Sequence, residues 1–181
     1  MKLWLTFLQR YNRKSMLIND VFVSNKTLDL YTDAAQSKGF WAYYGCRWFN
    51  GSFPDDWKSL NIMTLEFYPI SLALEVWGHL WKNHSILFFT DNEALVLVIN
   101  RQNSKDNTVM YMVRHLVLRC LELNFLFRAK HIAGSKNSLA DFLSRLQVSE
   151  FLKQFPQAKK SPCLVPEPFQ PLNFWKTLKG C

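Results

Sequence analysis

Four acidic residues stand at positions where side chains can be gathered for chemistry. Asp33 closes LYTD and Asp91 closes FFTD, each after an apolar stretch that reads as a strand. In an open sheet, the ends of neighbouring strands deliver side chains to a shared crevice. Glu66 opens a long apolar segment and lies four residues before Ile70 and seven before Ala73, which places it on their inward face. A carboxylate there is costly unless it is paired or bound to a cation. Asp141 falls within HIAGSKNSLADFLSR (131–145), in the first turn of an expected last helix. Four acids at one sheet edge cannot all be ionised without a counter-charge. Divalent cations supply one, and Mg²⁺ favours carboxylate oxygens together with substrate phosphate. Two such ions at ~3.5–4 Å would clamp the attacking and leaving oxygens of a phosphodiester. The chemistry expected is cleavage of a nucleic-acid backbone.

Each acid also has a purely structural reading. Aspartates start turns and cap helices, and Asp91 directly precedes a helical segment. Glu66 is favourable near a helix N-terminus. Ser138-x-x-Asp141 has capping-box spacing, with Asn137 as an alternative cap. Pro69 is tolerated in a first turn, which puts Glu66 at or just before the helix start. Glu75, nine residues on, is about half a turn out of phase at ~100° per residue, so it should face away and serve the fold.

The elements that must position these residues are legible in outline. LDLYT (28–32) alternates as a strand, and GFWAYYGCRWFNG (39–51) reads as a strand and hairpin. A turn-rich loop, GSFPDDW, precedes a helix over 65–82 that is apolar on most sides. SILFFT (85–90) is a continuous apolar run, as in a strand covered on both faces. A short helix over 92–101, a helix over 108–123, a strand over 125–132 and a last helix near 138–148 follow. An antiparallel start followed by βα units implies an α/β mixed sheet with helices against it.

The chain has 181 residues, 49% of them apolar and 15% aromatic, which suffices for a real core and excludes a wholly disordered chain. Its formal charge is +8, carried mostly by residues 1–27 and 148–181 around a near-neutral centre. Cationic flanks suit a polyanionic partner. Cys46, Cys120, Cys163 and Cys181 form no C-x-x-C pair, so neither a zinc ribbon nor a small disulfide scaffold fits. The opening MKLWLTFLQRYNRK is too short in apolar residues for a signal or membrane span, and the chain reads as soluble and intracellular, without a membrane partner. Five of the seven prolines fall in the last 26 residues, which read as an extended, mobile linker.

Taken in order, YTDAA, the Glu66 helix continuing as PISLALEVWG, FTDNEA and HIAGSKNSLADFLSR resemble the Asp-Glu-Asp-Asp set of a ribonuclease H domain. The last block is similar to a segment of retrotransposon reverse transcriptases. LEFYPISLALEVWG, LFFTDNEALVLVINRQ and LVLRCLELNFLFRAKHI resemble most the tyrosine-recombinase, DIRS-like retroelements. The resemblance implies a ribonuclease H-like fold over 28–148, a five-stranded mixed sheet in order 3-2-1-4-5 with helices on both faces. Residues 1–27 would be a connection from an upstream polymerase region, and 149–181 a proline-rich flexible tail leading towards a recombinase. The implied reaction is hydrolysis of the RNA strand of an RNA·DNA hybrid with two Mg²⁺ ions, Mn²⁺ substituting, in the cytoplasm or nucleus. Asp33 would bridge both metals, Glu66 and Asp91 would complete the one near the leaving oxygen, and Asp141 the one that activates water. His131 matches the family's mobile histidine, which assists product release; by itself it also reads as a surface residue at a strand end. The backbone around Ala34, Ala35, Asn92 and Glu93 is placed for contacts to RNA 2′-hydroxyls.

Three places depart from the family pattern: Ala133 where proline is usual, Phe142 where a small residue is usual, and Phe40-Trp41 where small residues are common. They keep a second reading open, a catalytically weakened, retroelement-derived nucleic-acid-binding domain. A third reading, an interaction protein whose acids only cap helices, stands beside it, and a DNA-strand-transfer enzyme of related fold ranks last.

Overall fold

The computed structural model describes residues 2–11, 28, 30–133 and 148–180. After an N-terminal helix α1 (Lys2–Arg10), strands β1 (Leu30–Ala35), β2 (Gly39–Tyr44) and β3 (Arg47–Gly51) form an antiparallel meander. A 3₁₀ turn (Asp55–Ser59) leads to α2 (Ile62–Trp77) and a second 3₁₀ turn (Gly78–Trp81). Strand β4 (Ser85–Thr90), α3 (Glu93–Arg101), α4 (Asn107–Leu123) and β5 (Leu126–His131) follow, with β4 and β5 paired in parallel. Helices α5 (Val148–Gln154) and α6 (Pro171–Gly180) close the chain. The chain is α/β, as the strand and helix pattern implies.

The backbone ladders form two sheets, β1-β2-β3 and β4-β5. A single five-stranded sheet in order 3-2-1-4-5 is therefore not seen: β1 and β4 approach each other, but no ladder joins them among the described residues. One β1 amide, that of Ala34, is drawn off to a side chain, donating to Asp33 Oδ1 at 2.8 Å. The strand also runs two residues past Asp33, so this acid sits within β1 and not at its end.

Alternation along the meander explains its layers. Leu30, Ala34, Phe40, Ala42 and Phe49 belong to the main core with α2. Trp41, Tyr43 and Trp48 point the other way and form a second cluster with Phe151 of α5. Strand β2 is consequently buried on both faces. Gly39 starts β2 with φ +116°, and a side chain there would collide with the backbone of Gly51.

Helix α2 begins earlier than Pro69 suggests. Asn61 caps it, its side chain accepting from the Met63 amide at 3.0 Å, and Glu66 lies in the second turn. Pro69 is inside the helix, where it leaves the Leu65 carbonyl without its usual amide partner. The surrounding core holds the helix despite that loss: residues 67–74 are all buried. Glu75 turns towards α4. Its Oε1 lies 2.9 Å from His115 Nε2 and 2.8 Å from Arg119 Nε, at ion-pair distance without good hydrogen-bond alignment. Arg119 also pairs with Glu122, which reaches Arg10 of α1 at 3.5 Å.

The proline-rich segment is not the loose linker its composition implies. It runs along β3: Lys159 N donates to Cys46 O (2.7 Å), Trp48 Nε1 to Lys159 O (2.7 Å), and Cys163 N to Trp48 O (2.6 Å). It then crosses to α2, where Tyr68 Oη donates to Phe169 O at 2.9 Å and the Phe169 ring lies against His115. Phe174 and Leu178 enter the main core, Phe174 edge-on to Tyr68 at 4.8 Å. Apolar burial every few residues overrides the prolines, which only fix the path between anchors. Phe174→Ala should therefore destabilise the chain by about 3–5 kcal/mol, the usual range for a buried aromatic. Urea unfolding would measure it, and a change near zero would mean that the segment does not pack.

Candidate active site

Asp33 is half-buried on β1, opposite Trp41 in the β1–β2 register and on the sheet face turned away from α2. Asp91 directly follows β4 and is exposed. It is not a helix cap. That role falls to Asn92, whose Oδ1 accepts the Leu95 amide at 3.0 Å, so the structural reading of Asp91 as N-cap does not hold. His131 ends β5 opposite Thr90, one residue from Asp91, with Ile132 N donating to Thr90 O at 3.0 Å. Asp141 lies outside the described residues, as do most of the expected last helix and Phe142.

Glu66 joins the two strands' acids electrostatically. Its carboxyl is pushed up from 4.5 to about 7. Burial is the main cause, the charge of Asp91 comes next, and Asp33 adds to it. A hydrogen-bonding contact with Asn92 acts the other way. Its Oε2 is buried and has no hydrogen-bond partner. Asp33 and Asp91, 33 residues before and 25 residues after Glu66 in sequence, thus act on it in space. They do not close into a finished cage: no three His, Cys, Asp or Glu side chains among the described residues form a metal-binding group.

The donor set fits a hard divalent cation. It is all carboxylate oxygen, one of those oxygens is buried and unpartnered, and the charges repel one another in the absence of a cation. Asn92 is the residue that sequence reasoning used only through its backbone. Its side chain had a readable signal, since an asparagine directly before a helical run is a preferred cap. Comparison with protein-family models, with curated proteins and with solved structures gave no match. No helix among the described residues is long and apolar enough to cross a membrane.

The Glu66 shift sets a pH dependence. The folded chain holds this proton up to about pH 7, whereas an unfolded chain releases it near 4.5. The stability this protonation gives is complete below the unfolded value and is lost as pH rises through about 7. In EDTA, Tm should fall across that window, the Glu66 share being about 1–2 kcal/mol after allowance for solvent screening. Glu66→Gln should flatten this share, and Mg²⁺ added at pH 7.5 should raise the wild-type Tm. A melting series in which wild type and variant share one pH profile would contradict the assignment.

Proposed function

We propose that this chain is a two-metal-ion endonuclease that hydrolyses the RNA strand of RNA·DNA hybrids, the ribonuclease H part of a DIRS-like retroelement reverse transcriptase. The observation that carries the reading is the electrostatic influence of Asp91 and Asp33 on Glu66, with a buried, unpartnered oxygen on Glu66. The approach of β1 to β4 supports a sheet of order 3-2-1-4-5 in which those two strands are neighbours. The polymerase and recombinase regions of the parent element, the hybrid itself and an intracellular setting belong to the same proposal.

Asp33, Glu66, Asp91 and Asp141 would hold two Mg²⁺ ions, with Mn²⁺ able to substitute. When bound, the pair neutralises charge on the phosphate and lowers the pKa of water. In the net reaction, water adds to phosphorus, the P–O3′ bond breaks, and the proton given up by water is matched by one taken up at the leaving O3′. The products carry a 5′-phosphate and a 3′-hydroxyl. The protein's own contribution is placement. Asp33 is fixed by a strand register, Glu66 by a buried helix, and Asp91 by the β4–α3 turn. His131, exposed at the end of β5, stands beside that turn and is assigned to product release.

One observation favours the second reading, a nucleic-acid-binding domain that has lost cleavage: the described acids do not by themselves form a three-ligand group. A labelled RNA·DNA hybrid separates the two. The nuclease reading expects Mg²⁺-dependent cutting, abolished by EDTA and slowed at least ~10²-fold by Asp33→Asn or Asp91→Asn. Equal background from wild type and both variants, with salt-sensitive hybrid binding retained, would leave only the binding reading.

A further inference from the structure

Residues 158–163 lie along the outer edge of β3, the edge that does not pair with β2. Three bonds fix them there. Lys159 N donates to Cys46 O at 2.7 Å, Trp48 Nε1 donates to Lys159 O at 2.7 Å, and Cys163 N donates to Trp48 O at 2.6 Å. Ala158 is buried with Trp41, Tyr43, Trp48 and Phe151. Both main-chain polar groups of Lys159 are thereby committed, while Lys159 and Lys160 are themselves exposed. These bonds would form with any residue other than proline at position 159, so they do not explain the choice of lysine. Lysine on a sheet edge discourages further strand pairing, but the carbonyls of Cys46 and Trp48 on that edge are already taken. Neither lysine forms an ion pair with a described residue. Between Val148 and Pro166 three lysines, Lys153, Lys159 and Lys160, stand against one acid, Glu150.

The same segment lies on the face that carries Asp33. Tyr31, Tyr43 and Trp48 are aligned across the meander, and Asp33 and Trp41 are aligned two residues along it. Side chains two apart on a strand share a face, so Asp33 and Trp48 do. Three strand spacings across and two residues along put Lys159 roughly 16 Å from Asp33.

We propose that residues 158–163 form a fixed strap that presents Lys159 and Lys160 to the phosphodiester backbone of the hybrid, away from the acids. The inference rests on the nuclease reading above and gives its substrate a second contact surface. A duplex carries phosphates ~3.4 Å apart along the axis on each strand, so the strap lies about four or five steps from a phosphate held at Asp33. A bonded strap places the two cations without the cost of ordering a loose segment on binding. Contacts of this kind set the position and register of a duplex and carry no sequence preference.

The test uses the full chain and a fluorescently labelled RNA·DNA hybrid, with binding followed by anisotropy in EDTA over a range of salt. The double variant Lys159→Gln, Lys160→Gln should melt with wild type, because the bonds of Lys159 are main-chain bonds. Its affinity should fall about 10-fold or more at 0.1 M salt, equally for hybrids of different sequence, and its salt dependence should flatten by about one unit of slope per lysine. Lys159→Arg with Lys160→Arg should restore both. In Mg²⁺ the Gln variant should raise KM and leave kcat near wild type, as for lost uniform binding. If the Gln variant binds with wild-type affinity and slope while wild type cleaves, the strap proposal is wrong and the nuclease reading stands. Equal weakening by the Gln and Arg pairs would also overturn it, since charge would then not be what binds. A strap effect on binding without Mg²⁺-dependent cleavage by wild type would uphold the strap and overturn the nuclease. No hybrid binding by wild type would overturn both.

Discussion

The site depends on one unfavourable contact: a carboxylate carried by a buried helix, within electrostatic reach of two more carboxylates. Helix α2 is apolar on nearly every side, and Glu66 is the acid it turns towards the strands. Desolvation alone would keep this group protonated to higher pH than usual, and Asp91 and Asp33 push in the same direction. A fold can meet such a charge internally by bringing an arginine or lysine to it. The second acid of the same helix shows that this chain can do so. Glu75 is met by Arg119 and His115 on α4. One acid is neutralised internally and the other is not. That contrast separates Glu75, a structural carboxylate, from Glu66, which the proposed function assigns to a cation, more clearly than burial does.

The remaining packing keeps the acids in place. α2 is held against the meander by a layer of aromatic rings, among them Phe40, Phe49, Tyr68 and Trp77. The Glu75 pairs fix the same helix to α4, and Arg119 and Glu122 extend them to Arg10 of α1. Buried pairs of this kind add little net stability but penalise any arrangement that separates the partners. α2 is thus held from two sides by different forces, aromatic burial and charge pairing. Both restrict how far Glu66 can move relative to β1 and β4.

Most of the elements were legible in the sequence because their signals are local. The hairpin at 39–51, β4 at 85–90, the helix over 107–123 and β5 at 126–131 fall within a residue or two of the periodicity. Where the structure differs, the cause is physical. Pro69 argues for a late helix start only if proline is confined to a first turn, and here a buried helix tolerates it seven residues after Ile62. Asp33 reads as a strand end because polar residues usually stop apolar runs, but pairing with Trp41 continues the strand through it. In the tail, proline content suggests an extended linker, whereas Phe169, Phe174 and Leu178 are the residues that pack it. Of the candidate site, the sequence names the acids only as candidates, and Asp141 lies outside the described residues. Neither the effect of Asp33 and Asp91 on Glu66 nor the capping of the helix by Asn92 instead of Asp91 is legible there, since each depends on where a side chain turns in space.

The pairing of Phe40 with Trp41 on one strand follows from the same packing. Large residues side by side on β2 must be covered on both faces of the meander. Phe40 is absorbed by the core around Tyr68 and Phe53, and Trp41 by the cluster of Tyr43, Trp48 and Phe151. Phe151 belongs to α5, and the segment after it is bonded to β3 through Trp48 and Lys159. The bulky residue opposite Asp33 is covered here by a C-terminal segment that folds back over the sheet. The aromatic pair and the tail are one packing unit: the tail removes from water the apolar surface that Trp41 adds, and Trp41 in turn gives Asp33 a fully packed neighbour on the adjoining strand.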